Sequence, residues 1–203
     1  CTLTMPETYI FSNTPTYMFQ RLISCSARLR FISIQIRHIY DSCINALRET
    51  YQLLQPGQVD ELVRRLMLAD RILVFGAGKS MVSMFGAYRQ LLLAMPKVHC
   101  ALNAHEQRRL CATVTSKDAV ILFVQNDSPA SLTDLARLLR GKGCYLILIS
   151  PLSKLSLSVL ADNTLLCGGF DGAGTAVSAQ AFLIELIYRL YLQRLENARR
   201  ALM

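Results

Sequence analysis

Residues 71–80, RILVFGAGKS, run a short apolar strand, Ile72 to Phe75, into Gly76 and Gly78 and then into Ser80 at the mouth of an apolar helical stretch. A strand that turns through glycines straight into a helix gathers backbone N–H groups and the positive end of the helix dipole at one point, where an anion can sit. The segment predicts a site for a phosphate-bearing ligand. Lys79 brings positive charge, and Ser80 can cap the helix or donate to a phosphate oxygen. The same glycines would also serve a tight turn with close helix packing.

Two common nucleotide sites are excluded by the same residues. A dinucleotide loop wants a third small residue where Met81 stands, and the next strand ends near Ala101 and Leu102 without an acidic residue. A Walker loop needs a longer glycine-rich turn ahead of Gly78-Lys79-Ser80.

Working outward, apolar strands are predicted at 72–75, 97–102, 119–124, 144–149 and 163–167, with helices at 80–94, 105–111, 129–141, 154–161 and 176–199. The strands are almost wholly apolar and do not alternate cleanly, so both faces of the sheet should be covered. This predicts an α/β domain over residues 70–203, a three-layer α-β-α sandwich on a five-stranded parallel sheet. Asp162 should lie at the turn into the last strand, and Gly168, Gly169, Gly172 and Gly174 connect that strand to the C-terminal helix.

Upstream, Ile36, Ile39, Tyr40, Cys43, Ile44, Leu47 and Tyr51 recur at three- and four-residue spacing. Pro56-Gly57 interrupts the chain, and a second helix buries Val59, Leu62, Val63 and Leu66, with Asp60 and Glu61 in its first turn. Residues 36–69 thus form a helical arm. Residues 1–35 read as an irregular or degenerate N-terminal segment, with a short helix within 21–35.

Strand 119–124 opens into Gln125-Asn126-Asp127-Ser128-Pro129-Ala130-Ser131, where Ser128 followed by Pro129 marks a helix start. The carboxyl end of a central strand is also where open parallel sheets bind ligands. Asn126, Ser128 and Ser131 are therefore candidate contacts to sugar hydroxyls or phosphate oxygens, and Ser150 is the counterpart one strand over. Catalytic candidates are fewer. His99 reads as a packed strand residue, and Glu185 as a helix residue paired with an arginine or at an interface. His105 and Glu106 could together move protons in a sugar isomerisation, or form part of the solvated helix face HEQRR.

A hydrophobic fraction of 52% with 18% charged residues excludes general disorder, while the net charge of +8 is spread along the chain and selects no partner. The seven cysteines show no C-x-x-C or Cys/His grouping, which argues for free buried thiols rather than disulfides or a metal site. No metal and no cofactor are expected. No apolar run reaches the ~18 residues of a membrane span and no signal-peptide pattern opens the chain, so no membrane partner and a cytoplasmic location are expected.

Taken together, these motifs resemble a sugar isomerase (SIS) domain at 71–167, preceded by an arm at about 40–70 similar to the linker of RpiR-type transcriptional regulators. The likeness runs through YDSCINALRETYQLLQPGQVDELVRRLMLADRILVFGAGKS, Asp118 to Ile121, Gly143, Leu157 and Ala161-Asp162. The resemblance implies a Rossmann-like parallel sandwich that binds a phosphosugar at the carboxyl ends of its strands, usually as a dimer. Gly76, Gly78 and Ser80 match the family's first phosphate loop. Its second loop, rich in serine, falls on residues 124–129 and departs strongly: Val124 and Asn126 replace serines, Asp127 replaces glycine, and Pro129 replaces a hydroxyl residue. Leu155 likewise stands where a serine is usual. Such regulators also carry a helix-turn-helix domain, for which residues 1–35 are too few.

The resulting expectation is a non-catalytic sensor of a phosphorylated sugar or sugar acid, acting as a homodimer or higher homo-oligomer, with DNA a partner only through a helix-turn-helix domain in a full-length protein. The alternatives are a phosphosugar aldose–ketose isomerase using His105 and Glu106, and an oligomeric interaction protein whose pocket has decayed.

Overall fold

The computed structural model describes residues 25–125, 130–151, 157–169 and 175–201. The chain divides into two units, residues 1–40 and 41–203. In the first, the described residues are helical and belong to α1 (Cys25–Leu53), so helix begins upstream of position 36, within the stretch expected to be mostly irregular.

In the second unit the rest of α1 is followed by α2 (Pro56–Leu68), β1 (Ile72–Gly76), α3 (Ser80–Leu92), β2 (Val98–Cys100), α4 (Ala104–Ala112), β3 (Ala119–Phe123), α5 (Ala130–Lys142), β4 (Tyr145–Pro151), β5 (Asn163–Cys167) and α6 (Thr175–Ala201). The five strands form one parallel sheet in the order β2-β1-β3-β4-β5. The expected α/β sandwich is present, with a second strand shorter than 97–102. Of the helix expected at 154–161, residues 157–160 form one 3-10 turn, and 152–156 lie outside the described residues.

Both faces of the sheet are buried because neighbouring residues of each strand enter different cores. Ile72 and Val74, Ile121 and Phe123, and Ile147 and Ile149 pack with residues of α2, α3 and α6. Leu73 and Phe75, Val120 and Leu122, and Leu146 and Leu148 pack with residues of α4 and α5. Each fully buried side chain of this size stabilises the fold by about 1.5–3 kcal/mol before entropy is counted. The continuous apolar strands are the sequence image of this two-sided burial.

Pro56 opens α2 at its first position, where its missing N–H costs nothing. The helix therefore starts earlier than its charges suggest, and no acidic residue lies in its first turn. Asp60 instead pairs with Arg194 of α6, and Glu61 binds Arg64 at 2.6 Å and Arg65 at 2.8 Å. Those two guanidiniums hold the Glu61 carboxyl down at about 2. Val59, Leu62, Val63 and Leu66 are the buried face, as the spacing predicts.

The amino ends of the strands are pinned by two aspartates. Asp118, buried before β3, accepts from Arg71 at 2.7 Å and from the Thr115 N–H at 2.8 Å. Burial alone would raise its carboxyl pKa, but these hydrogen bonds outweigh it and the net shift is downward. Asp162 accepts from the Leu146 N–H at 2.8 Å and pairs with Arg140 at 2.7 Å, just ahead of β5 as expected.

Candidate ligand site

Strand order places the site. After β1 the chain crosses to β2 on one side, and after β3 it crosses to β4 on the other, so the connections diverge between β1 and β3. At such a switch point the loops leave a crevice outside the carboxyl ends of the strands. Gly76 lies in register with Phe123, which itself lies beside Ile149, so the carboxyl ends of β1, β3 and β4 lie side by side.

The first loop is shaped by its glycines. A Cβ on Gly76 would come within 3.2 Å of the Met84 Cβ and the Ser80 carbonyl, so a glycine lets α3 approach the strand end. Gly78 has φ +60°, and a Cβ there would meet nothing within 4 Å. Its backbone takes the left-handed turn with open space above it, as a ligand approach requires. Lys79 is exposed at the N-cap of α3, and Ser80 is buried in the helix's first turn.

Of the second group, Asn126 and Ser128 lie outside the described residues, as do Asp127 and Pro129. Ser131 is half-buried in the first turn of α5. Ser150 is fully buried at the end of β4, and its hydroxyl donates to the Pro151 carbonyl at 3.1 Å. Val124 is packed in the core on the α5 side of the sheet. Its N–H donates to the Ile149 carbonyl at 2.9 Å, and its carbonyl accepts from Gln180 at 3.0 Å.

His105 and Glu106 open α4, where Glu106 has a structural task. The Asn103 side chain accepts from the Glu106 N–H at 2.9 Å, and the Glu106 carboxylate accepts from the Leu102 N–H at 2.8 Å. This reciprocal arrangement satisfies donors at the helix start. His99 is exposed on edge strand β2 rather than packed. Glu185 pairs with Arg189 and accepts from Gln90, in keeping with the arginine partner expected for it.

Three supports around the crevice escaped the reading of the sequence. Gln107, taken with the solvated HEQRR face, is buried and donates to the Gly76 carbonyl at 2.7 Å. Gln180 of α6 is buried against the end of β3, accepting from Gln125 at 3.3 Å besides its bond to Val124. Beyond β5, the Gly168 N–H donates to Thr50 at 2.9 Å and the Gly169 N–H to Glu49 at 3.2 Å. A Cβ on Gly168 would stand 2.5 Å from the Glu49 Cβ, so only glycine lets α1 lie against this turn. The signal for Glu106 was present as the N-x-x-E spacing of Asn103 and Glu106, a helix-start pattern. Nothing local marks a buried glutamine whose partner is a distant carbonyl.

Among the described residues no group of histidine, cysteine and acidic side chains could hold a metal ion, and no helix is long and apolar enough to cross a membrane.

Residues 65–182 match the SIS domain family. An uncharacterized HTH-type transcriptional regulator of Haemophilus influenzae is 28% identical over 159 residues, which cover 75% of this chain and 55% of that one. A second, from Providencia stuartii, is 25% identical over 122 residues, 60% of this chain and 43% of the relative. The chain thus spans about half the length of the curated relatives it matches. Among solved structures, Vibrio vulnificus NanR complexed with ManNAc-6P superposes with a TM-score of 0.72 at 15% identity, covering 86% of this chain and 69% of NanR. The sugar isomerase domain of the RpiR transcription factor from Sphaerobacter thermophilus gives 0.65 at 16%, covering 81% and 96%. A phosphoheptose isomerase from Francisella tularensis shares the fold as well, at 0.65 and 15%, covering 79% and 97%. The chain belongs to the SIS-domain family, and the curated relatives it matches are HTH-type transcriptional regulators.

Proposed function

We propose that this chain is the ligand-sensing part of an RpiR-like transcriptional regulator, binding a phosphorylated sugar or sugar acid without converting it. The observation that carries the reading is the glycine loop at the β1/β3 switch point, with Gly78 open at φ +60° beside buried Ser80, in a chain related to HTH-type regulators. Phosphate oxygens would meet the N–H groups of the 76–80 turn, and the sugar would extend toward Ser131, with Asn126 and Ser128 as further candidate contacts. The ManNAc-6P bound by the fold-related NanR, and the phosphosugar bound by a fold-related Escherichia coli protein, support this ligand class. DNA would be contacted by a helix-turn-helix domain elsewhere in a longer protein.

Sensing needs a path from crevice to arm. Glu49 and Thr50 of α1 hold the Gly168–Gly169 turn at the carboxyl end of β5, so a ligand that shifts this turn also shifts α1. The occupation of Glu106 in the α4 cap favours sensing over isomerisation.

Thermal unfolding in the presence of a panel of hexose, pentose, heptose and N-acetylamino-sugar phosphates, ManNAc-6P included, tests the proposal. One compound should raise the melting temperature, with no aldose–ketose conversion by NMR of the same mixture. Stabilisation with conversion would establish the isomerase reading instead, and no stabilisation by any compound would support a decayed pocket.

A further inference from the structure

Gln107 of α4 is 4% exposed, a polar side chain almost wholly withdrawn from water. Its side-chain amide donates to the Gly76 carbonyl at 2.7 Å and lies 3.5 Å from the Ala101 carbonyl and 3.8 Å from the Met84 sulfur. All three neighbours are acceptors, which turns the NH2 end of the amide toward the glycine loop. The pairing of the sheet shows why a donor is needed there. β1 and β2 run in register from Ile72 and Val98 to Val74 and Cys100. The Ile72 N–H donates to the Lys97 carbonyl at 2.9 Å, so Ile72, Val74 and Gly76 turn their backbone groups toward β2. Gly76, however, lies two residues past the last pair, where the chain has left β2 and Asn103 already caps α4. The Gly76 carbonyl therefore faces the side on which its neighbouring strand has ended, and Gln107 takes the place of the missing ladder donor.

We propose that Gln107 is a positioning residue for phosphate, holding the Gly76 carbonyl so that the turn through Gly78 presents its N–H to the anion in a geometry set beforehand. The inference rests on the phosphate reading of the glycine loop given above. Gly76 is where the loop leaves the sheet, with Gly78 at φ +60° and α3 beginning at Ser80. Because the peptide unit is planar, fixing the Gly76 carbonyl fixes the plane of the Gly76–Ala77 peptide and with it the direction of the turn. Met84 of α3 touches the same amide, so one side chain of α4 meets both the strand end and the helix between which the loop is strung. Backbone donors hold an anion well only when they are already in place, since ordering a loop on binding is subtracted from the affinity.

Titration of the whole 203-residue chain with inorganic phosphate, followed through its backbone amide NMR signals, tests the proposal. In wild type the Gly78 amide should move and saturate. In Gln107→Leu the Kd read from that signal should rise at least ~10-fold. Gln107→Met, whose flexible side chain fills the same space without a donor, should show the same loss and keeps the test open if the leucine variant does not fold. Gln58→Leu is the control, because it removes a comparable amide bond, 2.6 Å to the Thr164 carbonyl of β5. It should lower the melting temperature and leave the phosphate Kd unchanged. Folded Gln107 variants that bind phosphate as wild type does would overturn the proposal and leave the phosphate site standing. An equal loss in Gln58→Leu would overturn it too, by making the effect one of general destabilisation. A wild type in which no amide of residues 76–80 responds to ~50 mM phosphate would overturn the phosphate reading itself, and this inference with it.

Discussion

At the scale of single residues, Asp118 shows how a buried carboxylate is held, by two donors of the Arg71 guanidinium and by the Thr115 N–H. Asp118→Asn should destabilise the fold by about 1–3 kcal/mol, read as a lower midpoint in urea. Because its folded pKa lies below the unfolded value near 3.9, its contribution is complete above about pH 4 and fades as pH falls through the folded value. The difference between wild type and Asp118→Asn should therefore shrink on going from pH 6 to pH 3. Gly168→Ala forces a methyl group toward the Glu49 Cβ and should lower the melting temperature, whereas Gly57→Ala, with open space around it, should not. The role of Gly76 and Gly78 could be read from their position between strand and helix. That of Gly168 could not, since its constraint comes from a helix more than a hundred residues away in sequence.

At the scale of elements, apolar periodicity placed α2 and its buried face, and unbroken apolar runs placed the strands, because both signals arise from burial that each element makes on its own. Elements bounded by caps were less legible. Asp60 and Glu61 read as first-turn acids, yet Pro56 starts the helix a turn earlier and leaves them to Arg194 and to Arg64 and Arg65. In α4, the HEQRR face hides Gln107, whose side-chain amide donates to the Gly76 carbonyl and ties this helix to the glycine loop. Gln107→Leu keeps the volume but leaves that carbonyl without its donor, and should cost about 1–3 kcal/mol in thermal or urea unfolding. Glu106→Ala should cost about 1 kcal/mol by loss of the α4 cap. If the cap is its whole role, ligand stabilisation of the variant should equal that of wild type.

For the whole molecule, the sheet and its two cores were readable, because unbroken apolar strands record burial on both faces. The departure at Val124 was legible too, but not its cause, since its place in the core is set by contacts with α5 and neighbouring strands. The thiols obey the same division between core and surface. Burial pushes Cys144 and Cys167 up to about 12 and raises Cys111 too, so these three should resist iodoacetamide at pH 8 until the protein unfolds. On the proposed function, the loop at the β1/β3 switch point recognises a phosphate. Calorimetric titration with the most stabilising phosphosugar tests it most directly, comparing wild type with Ser80→Ala and the sugar with its dephosphorylated form. Binding should be seen with wild type and weaken at least tenfold, about 1.4 kcal/mol, on removing either the Ser80 hydroxyl or the phosphate. Equal affinity for the dephosphorylated sugar, or undiminished binding by folded Ser80→Ala, would rule out phosphate recognition by this loop.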